Sequence, residues 1–286
     1  MGAAVDAATR RLEGADVPMP RREAQRLMAW LLGTDRGGLV ARNPDSVAAK
    51  CAINLERFLS RRENREPFQY LTGEQEFCGR TFLVDRRVLV PRPETEDLVG
   101  LVLGLPLEAG ARVVDVGTGS GCIAVTLAAE HPEWKVIALD LSSDALALAR
   151  ENAARHGVES RIDFLRRDLA ELPGEWSSSM EAVVSNPPYV SEEEWKDLAP
   201  EVREHEPKAA LVPGPTGLEA YRTLAPEGFR VLRDGGFLVL ELGYRSEAGA
   251  REAVLAAGLG RVEVRPDHRG ISRILIARRE DTRRVR

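Results

Sequence analysis

An alternation of strand and helix patterns fills the chain from about residue 110 onward. Short apolar runs bounded by turn residues predict strands, and longer stretches between them, such as SSDALALARENAARHG and GLEAYRTLAPEGFRVLRDGG, predict helices. The predicted strands are RVVDVG, KVIALD, IDFLRRD, EAVVSN, FLVLELG, RVEVRPD and SRILIARR. Strands that alternate with helices pair in parallel, in a sheet covered on both faces. The last two strands have no helix between them, so we expect them to form an antiparallel edge.

The first 74 residues have a helical period instead. RREAQRLMAWLLG places its apolar residues at helical spacing and can end at Gly33. DSVAAKCAINLERFLSRREN repeats the pattern, with Asp45 or Ser46 as a candidate N-cap. The expected apolar face of this second helix consists of Ile53, Leu55, Phe58 and Leu59. These patterns predict an α-helical bundle.

Between the two regions, EFCGRTFLVDRRVLVPRP changes to a strand period. The stretch predicts a β-hairpin with its turn near Asp85–Arg86, closed by two prolines. We therefore expect three parts: a helical bundle over residues 1–74, a β-hairpin linker over 75–93, and an α/β domain over 94–286.

Composition excludes some classes of function. The 286 residues have a formal net charge of −5 and only 5% aromatic residues, which is unlike a non-specific nucleic-acid binder. No signal-peptide core or membrane-length apolar run is present, so we expect no membrane association and a cytoplasmic location. The three cysteines are scattered and make no metal-ligand spacing with the four histidines, so no metal site is expected.

The segment VVDVGTGSGCIA joins the first predicted strand of the α/β region to its helix. Three glycines, with Thr118 and Ser120 between them, let the backbone turn sharply and approach a ligand. Asp140 ends the next strand, where an acid commonly binds ribose hydroxyls in doubly wound folds. A nicotinamide dehydrogenase would need Gly or Ala at position 122, where this chain has Cys122. The glycines of this loop are Gly117, Gly119 and Gly121.

The segment VVSNPPYVS follows the fourth predicted strand of the sheet. Asn186 has a side-chain carbonyl, and Pro187 has a backbone carbonyl whose direction the ring fixes, so together they can accept both N–H groups of a planar NH2. Pro188 stiffens the loop, and Tyr189 offers a flat face for stacking. Ligands of such sheets bind at this carboxyl edge. The segment therefore predicts a site that positions a planar nitrogen.

VVDVGTGSG with the downstream ALD resembles the cofactor loop of class I S-adenosylmethionine-dependent methyltransferases, over about residues 110–280. The resemblance implies that Asp140 binds the ribose hydroxyls and that Asp168 and Leu169 lie beside the adenine. Asn-Pro-Pro-Tyr marks members of this superfamily that methylate planar nitrogens. These include adenine-N6 enzymes and a glutamine-N5 enzyme.

Further blocks resemble one family, the release factor glutamine methyltransferases (HemK/PrmC). The blocks are REPFQYLTGEQEF, LVPRPETEDLV, VVSNPPYVS, HEPKAAL, GGFLVLELG and PDHRGISRIL. The resemblance implies a Rossmann-like seven-stranded methyltransferase domain and transfer of a methyl group from S-adenosylmethionine to the Gly-Gly-Gln glutamine of bacterial class 1 release factors. It also implies that the helical bundle docks that factor and that the enzyme is a monomer.

The resemblance assigns further residues. Asn186 and Pro187 would bind the glutamine amide, with Tyr189 stacked on it, and Thr95 and Glu96 would line the cofactor pocket. An equal alternative for the last two is a capping box at a helix start. HEPKAAL, with Glu206, is expected to form a loop over the substrate mouth.

Two other functions share part of this pattern. An adenine-N6 DNA or RNA methyltransferase would keep Asn-Pro-Pro-Tyr but should add a target-recognition insert or a basic groove with stacking aromatics. A non-catalytic binding protein would keep the bundle and lose the cofactor loop. The chain has no such insert and keeps both motifs, so we expect no direct nucleic-acid partner.

Overall fold

The computed structural model describes residues 2–41 and 49–280. The helices are α1 Gly2–Gly14, α2 Pro20–Leu31, α3 Arg36–Ala41, α4 Ala49–Glu63, α5 Phe68–Thr72, α6 Pro93–Leu103, α7 Cys122–Glu130, α8 Ser143–Arg155, α9 Glu192–Asp197, α10 Pro200–His205, α11 Glu219–Val231 and α12 Glu247–Ala256. The strands are β1 Glu74–Phe77, β2 Arg80–Leu83, β3 Arg112–Val116, β4 Lys135–Asp140, β5 Ile162–Arg166, β6 Met180–Ser185, β7 Leu232–Glu241, β8 Gly260–Pro266 and β9 Ser272–Arg278.

Two compact units divide the chain. The first contains residues 1–73 and 199–205, and the second contains residues 74–198 and 206–286. Helix α10 therefore belongs with α1–α5, although it lies far from them in sequence. None of the helices in the described ranges is long and apolar enough to cross a membrane.

The first unit is built on apolar faces of short amphipathic helices. The predicted helix at residues 21–33 is present as α2, followed by Gly33 at φ 59°. On α4 the prediction for Ile53 was wrong. Its side chain is 70% exposed, because it lies two residues before Leu55 and so about 200° around the helix from the buried face that Leu55 and Leu59 form. The candidate caps Asp45 and Ser46 lie outside the described residues. The buried core is Val5, Ala8, Leu12, Val17, Ala24, Leu27, Met28, Leu55, Leu59 and Leu71.

A buried arginine ties α10 to this unit. Arg62 on α4 donates from Nε to Glu23 Oε2 (3.1 Å) and from Nη2 to Glu201 Oε1 (2.9 Å). Arg65 forms a two-pronged ion pair with the same Glu201, at 2.8 Å for each contact. Bidentate, partly buried arginine–carboxylate pairs are the geometrically specific kind, so Glu201 has a defined place on the bundle.

The β1–β2 hairpin turns at Cys78–Gly79, and the predicted turn near Asp85–Arg86 was wrong. A two-residue hairpin loop needs positive φ at both positions, and Cys78 (φ 48°) and Gly79 (φ 69°) provide it. Asp85 instead accepts hydrogen bonds from Arg87. The hairpin packs into the second unit, where the rings of Phe77 and Phe82 are fully buried.

The second unit contains a seven-stranded sheet in the order β5-β4-β3-β6-β7-β9-β8. Its first five strands are parallel, and β9 runs antiparallel to both β7 and β8, which confirms the predicted edge. The helix predicted over GLEAYRTLAPEGFRVLRDGG ends earlier, at Val231. Leu232 already pairs with Met180 of β6, and after a register shift the pairing resumes between Phe237 and Ala182, so β7 begins in a segment that has no strand period.

Alternate side chains of the strands point to opposite faces and enter two separate cores. Val113 belongs to the core under α6, α7 and the hairpin, and its neighbour Val114 belongs to the core under α11 and α12. Burial on both faces explains the continuous apolar strand sequences. The carboxyl ends of β3, β4, β6 and β7 meet at one edge of the sheet, which is where the predicted functional residues lie.

Candidate active site

The glycine loop between β3 and α7 has positive φ at all three glycines: 76° at Gly117, 54° at Gly119 and 80° at Gly121. Gly121 is required by packing, since a Cβ there would lie 3.0 Å from the Cβ of Ala149 on α8. Added Cβ atoms at Gly117 and Gly119 would meet nothing within 4 Å. Those two glycines leave open space where side chains would otherwise project.

Asp140, at the end of β4, binds both the glycine loop and the short segment that leads from β4 into α8. Its Oδ2 accepts from the Gly119 N–H and its Oδ1 from the Ser142 N–H, each at 2.9 Å. Burial raises the pKa of the carboxyl group, and the backbone donors oppose that shift. Each carboxylate oxygen keeps a further lone pair, so Asp140 can still accept from vicinal hydroxyls of a ligand.

Asp115 supports the loop from beneath. Its Oδ2 accepts from the Thr118 hydroxyl at 2.6 Å and from the Ala124 N–H at 3.2 Å. Complete burial raises its pKa to about 7. The acid thereby joins the strand, the loop and the first turn of α7 in one hydrogen-bonded unit.

A cavity of about 380 Å³ opens above this loop, a size suited to a small-molecule ligand. The predicted residues that line it are Thr95, Gly117, Thr118, Gly119, Ser120, Asp140, Asp168, Leu169, Asn186 and Pro188. Gly121, Pro187, Tyr189 and Glu96 are not part of its lining.

Glu96 is the predicted pocket residue that the structure places elsewhere. Its carboxylate accepts from the backbone N–H of Cys78 at 3.0 Å, and so it fixes the hairpin turn. The capping-box alternative is also not seen, because the N-cap of α6 is Arg92 with no side-chain cap bond. Thr95, one turn into the helix, instead forms hydrogen bonds to Asn186 and Glu241.

Leu141 lines the cavity and was missed by the sequence reasoning. It follows Asp140 directly and is 59% exposed, an unusual position for a leucine. The available signal was a large apolar residue just past a strand-end acid, outside any strand or helix period. An apolar side chain beside a carboxylate that keeps free lone pairs suits a ligand with a flat ring attached to a sugar.

Asn-Pro-Pro-Tyr continues directly from β6. Asn186 Nδ2 donates to Thr95 Oγ1 at 3.1 Å, and the Tyr189 hydroxyl donates to Glu241 Oε1 at 3.3 Å. The Ser185 hydroxyl donates to the Val116 carbonyl at 2.6 Å, which joins the end of β6 to the end of β3. The Asn186 side chain is thus anchored by its nitrogen beside the cavity.

A loop that starts at Glu206 covers one side of the cavity. The buried Glu206 carboxylate accepts from the Val90 N–H at 3.1 Å and from Arg92 Nη2 at 2.6 Å. The residues after it, Pro207, Ala209 and Ala210, line the cavity. Glu206 therefore joins this loop to the segment that leads into α6.

Solved structures share the fold. The chain aligns with the human Mettl16 catalytic domain, solved in complex with the MAT2A 3′UTR hairpin 6, at TM-score 0.56 and 16% identity, covering 84% of this chain and 86% of that one. A methyltransferase from Pyrococcus furiosus aligns at TM-score 0.51 and 18% identity, covering 70% and 89%. At such identities the likeness shows the fold alone.

Sequence comparisons are more specific. Residues 3–73 match the PrmC N-terminal domain, and residues 100–213 match the methyltransferase small domain. Release factor glutamine methyltransferases are 43% identical in Nitratidesulfovibrio vulgaris, 44% in Cereibacter sphaeroides and 40% in Deinococcus radiodurans. The alignments cover 95%, 96% and 95% of this chain and 92%, 97% and 96% of those relatives. The chain therefore belongs to the release factor glutamine methyltransferase family.

Proposed function

We propose that this protein transfers a methyl group from S-adenosylmethionine to the side-chain amide nitrogen of the Gly-Gly-Gln glutamine in a bacterial class 1 release factor. The observation that carries the proposal is the anchored Asn186 side chain. Its nitrogen is bound to Thr95, which leaves its carbonyl oxygen to accept from a substrate amide beside the cavity.

The cavity residues fit S-adenosylmethionine, which when bound supplies an electrophilic methyl group on a sulfonium. Gly117 and Gly119 leave the space that the ligand needs against the backbone. Asp140 has lone pairs for ribose hydroxyls, and Leu141 and Leu169 offer apolar contact to the adenine. Asp168 lies at the same end of the cavity lining as Leu169.

An amide nitrogen is a poor nucleophile, because its lone pair is delocalised into the carbonyl group. Asn186 Oδ1 and the Pro187 carbonyl would accept its two N–H groups, aim the nitrogen at the cavity and favour the positive charge that develops on it. Pro188 keeps the loop rigid, and the Tyr189 ring would support the plane of the amide. Asn186 does not titrate, so we propose no general base and expect the proton to leave to solvent.

The remaining assignments follow from the same proposal. The bundle at residues 1–74 would dock the release factor, residues 75–93 would connect it, and residues 94–286 would perform the transfer as a monomer. The catalytic segment at 186–189 would receive the glutamine.

The test supplies the purified protein with labelled S-adenosylmethionine and three acceptors: a class 1 release factor, the same factor with the Gly-Gly-Gln glutamine changed to alanine, and duplex DNA. We expect one methyl group on the glutamine by mass spectrometry and none on the other two acceptors. Asn186→Ala should abolish transfer, whereas Gln75→Ala, which removes an amide side chain bonded to the neighbouring Glu76 O on β1, should not. Label on adenine with an unmodified release factor would refute the substrate and favour the adenine-N6 alternative.

A further inference from the structure

Glu241, at the end of β7, is a buried acid to which the function above gives no role. It is 1% exposed. Its Oε2 accepts from the Thr95 hydroxyl at 2.6 Å and its Oε1 from the Tyr189 hydroxyl at 3.3 Å. Arg273 is near enough for its charge to act on Glu241, but that guanidinium is ion-paired with Asp267 at 3.1 Å. Burying a carboxyl group with two hydroxyl donors as its partners costs free energy, and both donors belong to side chains of the site.

When Glu241 is ionised, counting hydrogens fixes the direction of every bond in this chain of contacts. An ionised carboxylate can only accept, so the single hydroxyl hydrogen of Thr95 points to Glu241. Thr95 Oγ1 then has no hydrogen for Asn186 and can only accept from it. The Asn186 amide must therefore present its NH2 to Thr95 and its oxygen to the opposite side. This orientation follows from the number of hydrogens that each group carries.

We propose that Glu241 is a positioning residue that fixes, through Thr95, which end of the Asn186 amide faces the substrate. The proposal rests on the proposed function, in which Asn186 Oδ1 accepts from the glutamine NH2. With the amide rotated by 180°, two NH2 groups would face each other and the substrate nitrogen would lose one of its two acceptors.

The same carboxylate also holds the second functional side chain of the segment. Tyr189 donates to Glu241 Oε1, and its ring packs so closely on Gly243 that a Cβ there would lie 2.6 Å from the ring atom Cδ2. One acid thus sets the orientation of the Asn186 amide and the position of the Tyr189 ring. Such a shared anchor lies outside the reacting atoms, so its loss should change turnover more than cofactor binding.

Glu241→Gln tests the proposal with a side chain of the same shape. The Gln amide can donate to Thr95, which frees the Thr95 hydrogen for Asn186 Oδ1 and stabilises the rotated amide. We expect kcat to fall roughly tenfold to a hundredfold, as for a misplaced substrate group. The KM and the calorimetric Kd for S-adenosylmethionine should stay within about twofold, since Glu241 does not line the cavity. The matched control is Glu181→Gln. Glu181 is a partly buried acid near the start of β6, at the opposite end of that strand from Asn186, and it accepts from Arg112 N and Arg233 Nε.

The Thr95 link is tested without touching the buried acid. Thr95→Val keeps the shape and removes the hydroxyl, so kcat should fall as in Glu241→Gln, and Thr95→Ser should recover most of that loss. The double variant Glu241→Gln/Thr95→Val should be no slower than the slower single variant, because both break one pathway. Any of three results would overturn the proposal. These are wild-type kcat in Glu241→Gln, equal losses of kcat in Thr95→Ser and Thr95→Val, and additive losses of kcat in the double variant.

Neutron diffraction separates this proposal from the proposed function, because it needs no substrate. In deuterium-exchanged wild-type crystals kept well above pH 7, where Glu241 is ionised, the Thr95 deuteron should point to Glu241 and the two Asn186 amide deuterons should lie on the side of Thr95. Finding the Asn186 oxygen toward Thr95 would refute the positioning role, whatever the enzyme methylates. Finding the expected orientation without any glutamine methylation would leave the positioning role standing and refute the substrate.

Discussion

Gly243→Ala should damage the active site by steric pressure alone. The position follows Leu242 at the end of β7, and its φ is not positive, so alanine fits the backbone. The new Cβ, however, would lie 2.6 Å from Tyr189 Cδ2, 2.9 Å from Cγ and 3.2 Å from Cβ. Ordinary contact begins near 3.4 Å. The ring must therefore move by roughly 1 Å, and with it the hydroxyl that donates to Glu241.

Two magnitudes follow from this displacement. Overpacking a buried site costs about 1–3 kcal/mol of unfolding free energy. A displacement of ~1 Å in a substrate-positioning group can lower kcat by up to about a hundredfold. The affinity for S-adenosylmethionine should change little, since Tyr189 is not part of the cavity lining.

The assay combines urea unfolding, calorimetric titration of S-adenosylmethionine and steady-state methylation of the release factor. Gly100→Ala is the matched control: Gly100 is an exposed glycine inside α6 with nothing within 4 Å of its Cβ position. That substitution should stabilise the protein by up to about 1 kcal/mol and leave kcat unchanged. A Gly243→Ala variant with wild-type kcat would refute the claim that the Tyr189 ring position matters for transfer.

Three further outcomes are expected. Asp140→Asn removes a charged acceptor of the cofactor, and calorimetry should show a Kd for S-adenosylmethionine about 10- to 100-fold higher, whereas unchanged affinity would exclude the ribose contact. Asn152 accepts from the Leu83 N–H at 2.7 Å, so Asn152→Ala leaves that N–H unpaired. Urea unfolding should show a loss of about 1–3 kcal/mol in the free energy of unfolding, and a loss below about 0.5 kcal/mol would contradict the contact. Burial and the Glu94 charge raise the pKa of Glu241 to about 7, while Thr95, Tyr189 and Arg273 oppose the shift. The protonated acid can donate to Thr95 and release the amide, so kcat should rise with pH through about 7, and Glu241→Gln should lack that inflection.

The sheet could be predicted from the sequence because its strands are buried on both faces. RVVDVG and KVIALD are continuous apolar runs that end in a glycine and an acid, and the structure has β3 and β4 in those positions. The start of β7 could not be predicted in this way. Its residues Leu232 to Gly236 show no alternation of apolar and polar side chains. Leu232 pairs with Met180 of β6, and Gly235 and Gly236 exchange backbone hydrogen bonds with Arg279, so partners distant in sequence make this stretch a strand.

The hairpin turn and Ile53 were missed for different reasons. Cys-Gly can adopt two positive φ angles, but an Asp-Arg pair between apolar runs gives a similar local signal. Ile53 was assigned to the apolar face of α4 because it is apolar, although its spacing from Leu55, about 200° around the helix, already placed it on the opposite face, where it is exposed.

The polar network of the site was beyond the sequence patterns altogether. Thr95 and Glu241 are separated by 146 positions, and Thr95 and Asn186 by 91. Local motifs marked Thr95 as a helix-start or pocket residue and left Glu241 inside a strand motif without a role. Their connection depends on strand order, which brings the first turn of α6, the end of β6 and the end of β7 to one place.

That strand order also explains how one loop can serve two partners independently. β6 lies between β3 and β7, so the Asn-Pro-Pro-Tyr segment has the glycine loop on one flank and Glu241 on the other. Different hydrogen bonds join the segment to its two flanks. On the β3 side the Ser185 hydroxyl donates to the Val116 carbonyl, and on the β7 side the Tyr189 hydroxyl donates to Glu241. Changes on the β7 flank should therefore alter kcat at constant cofactor affinity. Changes at Asp140, which ends β4 beyond the β3 flank, should alter cofactor affinity first. A central strand between two such flanks allows the acceptor geometry to be set without altering the cofactor site.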